Sequence, residues 1–176
     1  MTAVSRITHS GGCGTFDVPM PLTCPTGVED RSTGGNYTLV VTFDSAITAP
    51  GTASVTCHNP GSGTGTAGAP VASGSTVSVP LTGVSDGQAL TVQLTGVTSA
   101  GGSTNVAVPF GVLVGDTNAS RSVTAADVSQ TKAQSGNAVT ASNFREDVNA
   151  NCAINAGDAS LVKARSGVLA LPACCP

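Results

Sequence analysis

Between residues 116 and 167 one series of oxygen-bearing side chains occurs twice. Asp116, Asn118, Ser120, Asp127, Lys132 and Gly136 recur, each 31 residues later, as Asp147, Asn149, Asn151, Asp158, Lys163 and Gly167; the apolar pair Val123 and Ile154 keeps the same offset. A hard divalent cation such as calcium takes six to eight oxygen ligands at roughly 2.3–2.6 Å, and a twelve-residue loop supplies them from its first, third, fifth, seventh, ninth and twelfth positions. Both copies fit that plan. Asp116, Asn118, Ser120 and Asp127 supply side-chain oxygens in the first, and Asp147, Asn149, Asn151 and Asp158 in the second. Ser122 and Ala153 stand at the seventh position, where the backbone carbonyl is the ligand and residue identity is free. Thr124 and Asn155, at the ninth, bind directly or through water. The pattern predicts two Ca2+ ions, one per loop, and with only two carboxylates per loop an affinity nearer the weak extracellular range than the buffer range.

Other chemistry finds little support. Nucleophilic hydrolysis needs Ser or Cys beside a base with an orienting carboxylate, and the chain has only His9 and His58 to serve as the base. Both read as surface or turn histidines; Cys57 and His58, as neighbours on a strand, point to opposite faces. The acidic residues before the loops, Asp17, Glu29, Asp30, Asp44 and Asp86, fall mostly at turns and read as solvated rather than as a facing catalytic pair. The expectation is a protein that is not an enzyme.

Each loop should lead into a short helix, over residues 126–135 and 157–166, with Gly136 and Gly167 as C-terminal caps free to adopt positive φ. Val128, Leu161, Val162 and Phe144 are the sizeable apolar groups available to a shared core there. That core is too small to fold alone, so metal binding is expected to supply folding energy.

The loops depart from the EF-hand signature in two ways. Arg121 and Cys152 occupy the sixth position, where glycine normally makes the sharp turn, and the last ligand is Asp rather than the longer Glu. With Gly115-Asp116-x-Asn118, Val123-Thr124-x-x-Asp127-Val128, Phe144-Arg145-x-Asp147-Val148-Asn149 and Ile154-Asn155-x-x-Asp158-x-x-Leu161-Val162-Lys163, the last third of the chain resembles the dockerin type I repeat. In that family, two loop-helix repeats present near-symmetric faces to a β-sandwich partner, the cohesin. The resemblance implies partner-binding roles for Ala125, Ala126, Lys132, Ala156 and Lys163, the residues at the matching helix positions.

Upstream, short runs alternate apolar and polar residues between turn signals, the mark of an antiparallel sandwich. They are Phe16, Val18 and Met20; Tyr37, Leu39, Val41 and Phe43; Val55 and Cys57; Val77, Val79 and Leu81; Leu90, Val92 and Leu94; and Val106, Val108 and Phe110. Ser85-Asp86-Gly87 is expected to close a hairpin between the fourth and fifth of these runs. The stretches Phe16-Asp17, Pro21-Leu22-Thr23 and Gly35-x-Tyr37-x-Leu39-Val40-x-Thr42-Phe43 resemble the β-sandwich modules that precede dockerin repeats in large secreted bacterial proteins. The predicted fold is mainly β with a small α-helical domain: an immunoglobulin-like antiparallel β-sandwich over residues 1–114, then a two-repeat calcium loop-helix domain of EF-hand-like, dockerin type with a C-terminal tail over residues 115–176. No Pro/Ser/Gly spacer separates Phe110 from Asp116, so the two parts should be rigidly coupled.

Charged residues make up 10% of the chain and the net charge is −3, which excludes a basic nucleic-acid surface. No apolar run approaches the ~20 residues of a membrane span. Met1-Thr-Ala-Val-Ser-Arg6 lacks signal architecture, so either a leader has been removed or the module is cut from a longer polypeptide. Six cysteines, an even count, point to an oxidising exterior, extracellular or cell-surface, of bacterial secreted type. Cys13 and Cys24 could close a loop near the N-terminus and Cys152 could reach Cys174 or Cys175, with the connectivity left open by the sequence. The functional expectation is a calcium-stabilised assembly module docking onto a β-sandwich, either of a partner protein or of the next copy in a homopolymer. The alternative is an accessory carbohydrate-binding or adhesion module, against which the absence of Trp and the single Tyr weigh.

Overall fold

The computed structural model describes residues 1–174. Strand β1 (Thr2–His9) lies between β2 (Gly14–Pro19) and β4 (Tyr37–Thr42), all antiparallel. On the far side of β4 runs β9 (Thr76–Thr82), edged by the short β7 (Thr66–Ala67) and β8 (Val71–Ser73). The second sheet is centred on β10 (Gln88–Ser99) and β11 (Gly102–Val112), which form a long hairpin. β5 (Ile47–Ala49) and β6 (Thr52–Asn59) pair with β10, and β3 (Gly27–Glu29) runs parallel to β11. Period-two alternation sends Leu39, Val41, Val77, Val79 and Leu81 inward from one sheet and Leu90, Val92, Leu94, Val108 and Phe110 from the other. Each such side chain contributes about 1.5–3 kcal/mol by leaving water.

The six alternating runs mark β2, β4, β6, β9, β10 and β11 but not the other five strands, and one connection differs from expectation. Residues 85–87 do not close a hairpin, because β9 belongs to the first sheet and β10 to the second. Both strands carry a strong apolar face, and placing them in opposite sheets lets those faces meet across the interior rather than lie side by side.

The C-terminal third corrects the expected fold class. There is no separate two-repeat loop-helix domain of EF-hand-like or dockerin type behind an immunoglobulin-like module. The protein is one β-sandwich-like fold, mostly β in two sheets, with only two short helices, α1 (Ala125–Gln134) and α2 (Ala156–Arg165). The physical reason is the shortage of apolar side chains after residue 114. Val123, Val148, Ala150 and Val162 are buried in the same hydrophobic cluster as the sandwich residues, with Val128, Phe144 and Leu161 packed against it. A segment that cannot enclose its own core borrows one.

The cysteine pairing is also corrected. Cys13 bonds Cys152 and Cys24 bonds Cys174, with Cα separations of 5.6 and 5.9 Å, in place of the local Cys13–Cys24 and Cys152–Cys174 pairs. Cys57 is disulfide-bonded as well. The alternative partner Cys175 lies outside the described residues. Both assigned bridges span most of the chain, 139 and 150 residues, and tie the N-terminal strands to the C-terminal segment. Closing loops of this length removes much entropy from the unfolded chain.

A shared core predicts shared cooperativity. Val148→Ala, at a side chain with no exposed surface, should cost on the order of 2 kcal/mol. It should lower one denaturant transition in which Tyr37 fluorescence, from the sandwich, and helical circular dichroism change together; two separated transitions would contradict the shared core.

Candidate metal centre

The two acidic loops adopt the same backbone trap. In the first, Asp116 accepts from the backbone N–H groups of Ser120 (2.9 Å) and Arg121 (2.7 Å), and Asp127 accepts from those of Asn118 (3.2 Å) and Thr124 (2.8 Å). In the second, Asp147 accepts from Asn151 (3.0 Å) and Cys152 (2.7 Å), and Asp158 from Asn149 (3.2 Å) and Asn155 (2.9 Å). Every donor and acceptor keeps the 31-residue offset. Left-handed φ values fall at Ala119 (58°) and Arg121 (74°), and again at Ala150 (53°) and Cys152 (69°). The residues standing where an EF-hand has glycine thus adopt the glycine conformation, held there by the carboxylate that each N–H reaches.

The helices follow the loops one residue earlier than expected. Thr124 and Asn155 are their N-caps, and Asp127 and Asp158 complete capping boxes. Gly136 (φ 86°) and Gly167 (φ 72°) lie just past the helix ends. The Gly136 N–H donates to the carbonyl of Ile154 (2.8 Å) and the Gly167 N–H to that of Val123 (3.0 Å), so each helix end is tied to the opposite loop.

All four carboxylates, Asp116, Asp127, Asp147 and Asp158, are fully buried. Burial pushes the Asp116 and Asp158 carboxyls above the usual range against the pull of their backbone donors, and the facing Asp127 and Asp147 push them further. Asp147 behaves oppositely: burial raises it, but the hydrogen bond from His9 and the N–H groups of Asn151 and Cys152 outweigh burial and hold it low.

The donor set suits a hard cation, being all oxygen. Asn118 and Asn151 each spend their side-chain oxygen on a loop N–H, from Ser120 and Ala153 (both 2.9 Å). The Asn149 Oδ1 is buried without a hydrogen-bond partner, and a buried carbonyl left unpaired costs about 1–3 kcal/mol. It lies at the third position of the second loop, where a calcium ligand belongs. Ser120, Ser122 and Ala153 stand at the remaining positions; the Ser122 and Ala153 carbonyls accept from Ser120 Oγ (3.0 Å) and Asn155 Nδ2 (3.0 Å). The donor types in both loops are those a calcium ion takes, and in the second loop one of them is unsatisfied.

Sequence reasoning missed the network behind the loops. His9 is not a surface residue: it is buried at the end of β1, with Nδ1 2.7 Å from Asp147 Oδ2 and Nε2 3.2 Å from Arg31 Nη1. A guanidinium only donates, so Nε2 accepts and the ring proton sits on Nδ1, aimed at Asp147. Arg31 forks onto Glu29 through Nε and Nη2 (both 2.8 Å) and lies 5.1 Å over the Phe144 ring, which stacks on Phe16. Glu29 and Asp30, expected at solvated turns, are fully buried too. Arg145 reaches Asp30 (3.0 Å) and donates to the carbonyls of Thr117, Asp116 and Val28, joining the first loop to β3. The only signal in the sequence was the clustering of Glu29, Asp30 and Arg31. His58 is half-buried against the Gln88 side chain (3.0 Å). His9, Cys13, Asp147 and Cys152 converge closely enough to suggest a soft-metal site, but both sulfurs are committed to a disulfide.

Lys132 and Lys163 are exposed and line one groove of about 420 Å³ together with Ser135, Ala156, Ala159 and Ser160. Ala125 and Ala126 are exposed nearby in sequence but do not line it. No family model, curated protein or solved structure matches the chain.

Asp30 sets a pH dependence. Burial raises its pKa to about 8, with Arg145 opposing and Glu29 reinforcing. Since the folded value lies above the ordinary ~3.9, the fold prefers the protonated acid; that contribution is full below pH ~4 and is lost as pH rises through about 8. In chelator, the melting temperature should fall between pH 5 and 8.5. Asp30→Asn should reduce this slope, and an unchanged slope would show that Asp30 does not carry it.

Proposed function

We propose that the chain is a non-catalytic, calcium-stabilised module for protein assembly outside the reducing cytosol. The observation that carries this reading is the duplicated trap: two loops with one hydrogen-bond pattern, buried paired carboxylates and, in the second, an unsatisfied ligand-type oxygen. Asp116, Asn118, Ser120, the Ser122 carbonyl and Asp127 would hold one ion. Asp147, Asn149, Asn151, the Ala153 carbonyl and Asp158 would hold the other. The ion would neutralise carboxylates that burial otherwise disfavours and would anchor the loops to the sandwich. Disulfides across the fold, with no free cysteine among the described residues, support an oxidising location.

The docking face is the groove carrying Lys132 and Lys163, brought together because the two loop-helix segments pack against each other with each glycine cap on the other's loop. Their equivalence across the duplication favours an interface, since metal binding alone does not require matching outer residues. The resemblance of the loop residues to dockerin repeats points to a β-sandwich as the partner, either a cohesin-like protein or the sandwich of the next copy. A carbohydrate-binding role is less well supported, because Tyr37 and Phe110 are buried, Phe43 and Phe144 pack against the core and Phe16 stacks on Phe144.

Calcium at about a hundred times its dissociation constant should add about 2.7 kcal/mol per site, raising the melting temperature by about 5–10 °C for each site filled, reversed by chelator. Light scattering in calcium distinguishes the partners: growth in mass with concentration indicates self-assembly, and a stable monomer indicates a foreign partner. Lys132→Ala with Lys163→Ala should abolish assembly without lowering the melting temperature. Absence of any calcium-dependent change in stability would overturn the reading.

A further inference from the structure

The two loops match in backbone pattern but differ in what stands behind them. The second is gripped by the β1–β2 turn at three points. The Ser10 N–H donates to the Ala150 carbonyl (2.8 Å), Cys13 bonds Cys152 at the left-handed sixth position, and His9 donates to Asp147 Oδ2. The turn packs so closely that a Cβ at Gly11 would meet the Asn151 carbonyl oxygen and the Cys152 Cβ, each at 2.6 Å. In the first loop, the Asp116 carboxylate has no imidazole donor: among the described residues it accepts from Ser120 and Arg121, while Arg145 holds the Asp116 and Thr117 carbonyls from behind. Arg121, the counterpart of Cys152, turns outward to donate to the carbonyls of Thr26, Leu171 and Pro172.

We infer that His9 is a positioning residue for a metal ligand, and that the β1–β2 turn makes the second loop the tighter of two unequal calcium sites. The His9 ring is itself fixed from behind by Arg31, which Glu29 and the Phe144 face hold in place. A carboxylate whose orientation is set before the ion arrives loses less freedom on binding, and outer partners of this kind typically change metal affinity 10–100-fold. The sandwich therefore contributes to the metal site through residues about 140 positions away in the chain. This inference rests on the reading that the loops hold calcium.

The test uses the full disulfide-bonded chain, stripped with chelator and titrated with calcium chloride alone by calorimetry. Asp116→Asn with Asp127→Asn leaves only the second site, and Asp147→Asn with Asp158→Asn leaves only the first. The second site should bind at least tenfold more tightly than the first. On the background with the second site intact, His9→Phe keeps the ring against Phe16 but removes the donor, and should weaken binding 10–100-fold. His9→Asn, whose amide nitrogen stands near the position of Nδ1, should recover much of the loss. On the background with only the first site, His9→Phe should change affinity less than twofold. Equal affinities of the two isolated sites would overturn the inference, whether or not the His9 variants fold. So would a His9→Phe variant that binds calcium at the second site as well as its parent. A wild-type chain that binds no calcium would instead sink the underlying reading of the loops.

Discussion

The structure depends on satisfying carboxylates that have been taken out of water. Glu29, Asp30, Asp116, Asp127, Asp147 and Asp158 are all fully buried, and an ionised carboxylate without compensation costs several kcal/mol in such surroundings. Two devices answer this cost. Arg31 forks onto Glu29, while Asp30, with Arg145 3.0 Å away, is left favouring its protonated form. The four loop carboxylates instead take backbone N–H groups, and two of these, from Arg121 and Cys152, belong to non-glycine residues held in left-handed conformations. Backbone strain at these positions is the local consequence of a tertiary electrostatic requirement.

The same requirement explains why the C-terminal segment is part of the sandwich. Its loops end in buried charge and its helices are only ten residues each, so neither element is stable by itself. Packing Val148 and Val162 into the sandwich core, seating Arg145 on β3 and the first loop, and bridging Cys13 to Cys152 and Cys24 to Cys174 give that segment what it lacks. The resulting unit presents its small, lysine-bearing groove outward while the four loop carboxylates are buried. An ion bound inside would thus be connected to the outer face through two short helices capped directly on the loops.

Duplication with divergence is visible in single residues. Arg121 and Cys152 share a backbone conformation and a hydrogen bond to the leading carboxylate, yet one side chain ties its loop to the C-terminal tail and the other to the first hairpin. The two copies are equivalent where they meet each other and unequal where they meet the rest of the protein.

By itself the sequence determined what is local. The repeat of the loops, the glycines Gly136 and Gly167 past the helix ends and the alternating strands follow from spacing, because helix capping and strand pleat act over a few residues; that Thr124 and Asn155 are N-caps came from the structure. Only the tertiary structure decided that β9 and β10 lie in different sheets, that the helices join the sandwich core instead of forming a domain, and that Cys13 finds Cys152. It also turned His9, Glu29 and Asp30 from apparent surface residues into the buried support of the loops. The roles of His9 and Asp30 depend on partners more than a hundred residues away, Asp147 for His9 and Arg145 for Asp30. Burial of a charged group is a property of the assembled packing, and no periodicity in the chain encodes it.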